Sequence, residues 1–125
     1  MKLIDIVSAH IAADEMGKQS WPYDLALALV KVKKATADDA EFFSEKERGL
    51  VMQYADIDAS GNLRLTPNGT FILKDPSTHD EYERARGELS ETESQAPMRA
   101  LRVKPPAEIR PAWLSALEGF IEFKE

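Results

Sequence analysis

Tyr23 to Tyr54, YDLALALVKVKKATADDAEFFSEKERGLVMQY, is the longest regular stretch of the chain. Apolar or small residues recur at Leu25, Leu29, Val32, Thr36, Phe43, Leu50 and Tyr54, at steps of four, three, four, seven, seven and four. That spacing predicts a helix over 22–55 with one continuous apolar stripe. No glycine or proline interrupts it before Gly49. At about 1.5 Å per residue, some 30 residues make a rod of roughly 45 Å. A small chain has little else with which to cover such a rod. Part of the stripe therefore either lies under the first and last helices or meets a second copy, and the expectation drawn is self-association.

Outward from this helix, residues 2–16 read as a shorter one. Leu3, Ile6, Val7, His10, Ile11 and Met16 fall mostly on one face, and Gly17 stops it. His10 lies close to that face and reads as a packed or half-exposed histidine rather than a metal ligand. Gly17 to Pro22 form a turn in which Pro22 holds Trp21 extended and opens the long helix. Trp21 and Tyr23 stand at this corner, either to close the angle between the helices or to offer a binding surface.

Beyond the long helix, Asp56-Ile57-Asp58-Ala59-Ser60-Gly61 begins like a calcium loop. Its twelfth place is Pro67, where the bidentate glutamate is needed, so the segment reads as a polar turn and no metal is expected. Asn62 to Lys74 read as a hairpin turning at Pro67-Asn68-Gly69. Asp75-Pro76 starts an acidic helix over 76–90, with a thin stripe at Tyr82, Ala85 and Leu89. Its carboxylates read as a solvated face, not a catalytic cluster. Residues 90–97 read as a mobile connector. Residues 98–104 alternate as a third strand, paired with the hairpin. A closing helix over 111–122 carries Trp113, Leu114, Leu117, Phe120 and Ile121. The fold class expected is α+β: a single, mainly helical domain over 1–125, with a long central helix and a small antiparallel sheet of about three strands.

Composition narrows the function. The 125 residues carry a net charge of −6, which argues against nucleic acid or an anionic membrane as the main partner. There is no cysteine, which removes disulfides, thiolate metal sites and cysteine nucleophiles and fits a reducing cytoplasm. Met1 to Asp5 do not read as a signal peptide, and no apolar run is long enough to span a membrane. The chain has no glycine-rich phosphate loop, nucleophile elbow or His-x-x-x-His pair. The reading is a non-enzymatic protein without a cofactor.

The order of pieces resembles a group of small proteins encoded by tailed bacteriophages and prophages, of unknown function. The residues that carry the resemblance are the leucine- and lysine-bearing helix from Leu25 to Lys34, then Leu50-Val51-Met52-Gln53-Tyr54, then Asp58-Ala59-Ser60-Gly61-Asn62, and finally Ile109-Arg110-Pro111-Ala112-Trp113-Leu114-Ser115-Ala116-Leu117-Glu118. In those proteins Gly-Glu-like residues follow the tyrosine, where this chain has Ala55-Asp56. The resemblance implies an accessory protein in the host cytoplasm. It would inhibit a host defence by gripping a host protein or by sequestering a small anionic, nucleotide-like signal. The other role it implies is a structural or assembly part of the virion. Sequestration requires a pocket of cations and aromatics. The candidates by residue type are Lys31, Lys33, Lys34, Arg99, Arg102, Lys104 and Arg110, with Trp21, Tyr23 and Trp113 for stacking.

Overall fold

The computed structural model describes residues 1–125. Helix α1 spans Leu3–Met16 and helix α2 Tyr23–Tyr54. A single 3-10 turn, Pro76–Thr78, leads into α3, His79–Glu91. Strand β1, Leu101–Val103, is followed by α4, Pro111–Leu117, and strand β2, Ile121–Phe123. The mainly helical α+β class stands.

Helix α1 folds back along the first half of α2. Its side chains at Ile6, Ala9, Ala12, Ala13 and Met16 are all buried, and they meet Leu25, Ala28, Leu29 and Val32. Three alanines in that set let the two helix backbones approach closely, because interaxial distance follows the side chains at the contact. Trp113 and Leu117 of α4, with Val103, Phe120 and Ile121, close the same core from the far side. A smaller cluster of Leu3, Val7 and Phe43 lies further along α2, with Ile4 and Leu89 packed against it. The end of α2 meets the hairpin region and α3 through three aromatic rings. Tyr82 is edge-on to Tyr54 at 5.7 Å and to Phe71 at 5.2 Å.

The stripe that defined α2 is thus largely sheltered by its own chain. Leu25, Leu29, Val32, Thr36 and Phe43 are buried, and Leu50 and Tyr54 are half-buried. The stripe itself supplies no reason for a second copy. The apolar side chains that remain exposed on α2 are others: Tyr23, Leu27, Val30, Phe42 and Met52.

Buried Thr36 shows how a polar residue is tolerated on the stripe. Its hydroxyl donates to the Val32 carbonyl at 2.7 Å, the backbone bond open to a helical threonine. With its one hydrogen so used, Thr36 Oγ1 accepts from His10 Nδ1 at 2.9 Å. His10 is a packed, half-buried residue joining α1 to α2.

Several expected elements differ. The sheet is two-stranded and parallel, with Leu101, Arg102 and Val103 in register with Ile121, Glu122 and Phe123. The segment expected as a third strand over 98–104 pairs with the end of the chain, not with the hairpin. The closing helix expected to run to residue 122 stops at Leu117. The backbone leaves the helix at Glu118, and Gly119 completes the turn with a φ of 87°, where a side chain is strained. Phe120 and Ile121 still reach the core, but as turn and strand. Helix α4 becomes the crossover that a parallel pair of strands requires.

The hairpin region forms no continuous strand. Isolated antiparallel bridges join Ala55 to Leu73, Ile57 to Leu63 and Leu65 to Phe71. It turns at Thr66–Gly69, with Gly69 at a φ of 83°. Residues 90–97, expected to be a mobile connector, are tied to the start of α1. Leu3 N–H donates to Thr92 O and Ser94 N–H to Met1 O, both at 2.8 Å. Lys2 also pairs with Glu91 at 3.1 Å.

Candidate ligand cleft at the two-tryptophan corner

The turn from α1 into α2 and the segment from Pro106 to the start of α4 meet at one corner. Trp21 is fixed there by its indole N–H, which donates to the Met16 carbonyl at 2.8 Å. The same carbonyl, at the end of α1, also accepts from the Gln19 backbone N–H at 3.0 Å. Pro111 occupies the first turn of α4, where its missing N–H costs nothing, and this places Trp113 on the inward face. Trp113 is 6% exposed, and its indole N–H donates to Glu15 Oε2 at 3.3 Å. The two indoles pack edge to face, with centroids 6.1 Å apart and planes at 77°. Arg110 lays its guanidinium over the Trp113 ring at 4.8 Å, a cation–π contact.

Around this pair opens a cleft of about 590 Å³. Trp21, Pro22, Pro106 and Ile109 supply its apolar wall, and Gln19, Glu108 and Arg110 its polar groups. Arg110 is the one cation in the lining and forms no ion pair with any carboxylate of the chain. A guanidinium held over a ring, with no carboxylate partner, keeps N–H donors available for a carboxylate or phosphate. Both indole N–H groups are already used, and one face of Trp113 is covered by Arg110. The cleft can therefore offer an anion one fork and an apolar wall, but no open indole sandwich.

Of the ten candidate residues, the structure gathers Trp21, Arg110 and Trp113. Tyr23 is adjacent in sequence but outside the cleft, 82% exposed at the start of α2. Lys31 and Lys34 project from the outer face of α2 and make no ion pair. Lys33 turns to another side and binds Asp14 at 2.8 Å. Arg99, Arg102 and Lys104 are exposed in and beside β1 and do not line the cleft. Arg102 lies in register with Glu122, and the Lys104 backbone N–H donates to Asp24 Oδ2 at 3.4 Å. Glu15, Pro106 and Glu108 were not marked by sequence, and Ile109 was marked only as an apolar residue before the last helix; the proline-bounded run before α4 was the available signal.

In the turn that opens like a calcium loop, one oxygen of each aspartate is engaged within the chain. Asp58 Oδ1 accepts from the N–H groups of Ser60 and Asn62, at 2.9 and 3.0 Å, and Asp56 faces Arg64 at 3.4 Å. No helix is long and apolar enough to cross a membrane. No protein-family model, curated protein or solved structure matches the chain.

Proposed function

We propose that this is a non-enzymatic binding protein that takes a small anionic ligand at the two-tryptophan corner. The observation that carries this reading is Arg110: over the Trp113 ring, without a carboxylate partner, in the lining of an apolar-walled cleft. A ligand with a phosphate or carboxylate and a flat apolar part fits that chemistry. Nucleotides and cyclic nucleotides belong to this class. The resemblance to phage-encoded proteins makes sequestration of an anionic defence signal in the host cytoplasm the corresponding biological role. A protein partner or a place in the virion is the alternative role for the same chain.

Both tryptophans of the protein line the cleft, so intrinsic fluorescence reports on it directly. Titration with a panel of nucleotides, cyclic nucleotides and inorganic phosphate is expected to quench or shift that emission. Arg110→Ala, with its folding checked by circular dichroism, is expected to abolish the response. Unchanged emission across the panel removes the ligand reading and leaves the protein-partner and virion roles.

A further inference from the structure

The outer face of α2 carries a pattern that the packing of its own chain leaves unused. Tyr23, Leu27, Val30 and Lys34 follow one another at steps of four, three and four. Read backwards from the other end, Met52, Arg48, Glu45 and Glu41 follow at the same steps. The two halves meet at Ala37 and Asp38. All of these residues are exposed. Lys34, Glu41, Glu45 and Arg48 make no ion pair in their own chain.

We propose that two copies of the chain pack antiparallel through this face of α2, about a two-fold axis passing beside Ala37 and Asp38. Charge decides the orientation. In an antiparallel pair each Lys34 faces the other copy's Glu41, once on each side of the axis. A parallel pair sets Lys34 against Lys34 and Glu41 against Glu41, which is repulsive. Two of the three apolar pairs are then complementary, while Val30 lies opposite Glu45. Leu27 meets the aliphatic stem of Arg48, and Tyr23 meets Met52, a sulfur–aromatic contact. Ala37 at the axis lets the helices approach. The spacing of four and three is that of a helix–helix seam, and the contact is self-complementary, as a two-fold interface must be. The seam runs about 45 Å at 1.5 Å per residue. It is separate from the stripe that faces the core and does not depend on the ligand cleft.

The test uses the full chain in sedimentation equilibrium over a range of concentrations. A dimer is expected. Lys34→Glu and Glu41→Lys, each confirmed as folded by circular dichroism, are each expected to weaken it roughly tenfold or more, since each puts like charges together twice. The double variant is expected to restore it. Because the chain has no cysteine, orientation is tested by cross-linking. Tyr23→Cys mixed with Met52→Cys is expected to form a disulfide-linked dimer under mild oxidation, and neither variant alone is. A monomer at every concentration overturns the proposal. So does a dimer that both charge reversals leave intact, a double variant that fails to recover, or a cross-link that either cysteine variant forms alone.

Discussion

Asp14 and Lys33 join the end of α1 to the middle of α2 with a single bond of 2.8 Å. The Lys33 ammonium holds the Asp14 carboxyl below the usual carboxylate range, through the hydrogen bond first and the charge second. A carboxylate with a lowered folded-state pKa contributes stability above its unfolded pKa and loses it as pH falls through the folded one. Asp14→Asn is therefore expected to unfold at lower urea than the natural chain at neutral pH. The difference should vanish below the carboxylate range, and it should also shrink in high salt because both groups are solvent-exposed. A gap between the two proteins that is constant with pH would mean that the substitution acts by something other than the lost charge. Arg110 is a different kind of residue: its guanidinium is held by a ring instead of a carboxylate, so its charge is still available to a ligand.

At the scale of the element, two glycines show how one residue type carries opposite instructions. Gly87 lies inside α3, and a β-carbon built there meets nothing within 4 Å. Gly87→Ala removes a flexible residue from a helix and is expected to stabilise the fold by about 0.5–1 kcal/mol. Gly119 lies at the end of α4 with a φ of 87°, and an added β-carbon comes 3.4 Å from the Met1 side chain. Gly119→Ala is expected to cost about 1–2 kcal/mol, the penalty for a left-handed L-residue. Urea midpoints of the two variants should move in opposite directions. The Gly119 turn is also why the last segment is a helix followed by a strand. An unbroken helix to residue 122 would satisfy the apolar spacing but would leave β1 without its partner.

For the molecule as a whole, packing is uneven. The large core joins α1, the first half of α2, α4 and the two strands. The region from Asp56 to Thr78 contributes no buried residue and is held by isolated bridges and one aromatic cluster. Local stability follows buried apolar contact, so that region is expected to open first. Hydrogen exchange should show the amides of residues 56–74 exchanging well before those of α1 and residues 25–36. Equal protection across both regions would require a contribution to the hairpin region that its own chain does not provide.

Sequence by itself determined α1 and α2, because a 3.6-residue period read over fourteen or thirty-two residues is redundant; they begin and end within a residue or two of where Leu3, Gly17, Pro22 and Tyr54 put them, whereas the seven residues of α4 left its end to the fold. It also marked Trp21, Arg110 and Trp113 as residues able to bind, though only by type. Tertiary structure decided everything that depends on which distant segments meet. Leu101 and Ile121 pair across the whole of α4, while the hairpin residues, close to one another in sequence, do not extend into strands. Three-residue strands carry too little pattern to name a partner, so the choice falls to burial in the core formed by α1 and α2. The same rule separated Arg110 from the other six cations: charge is local to a residue, but convergence on one cleft belongs to the folded chain.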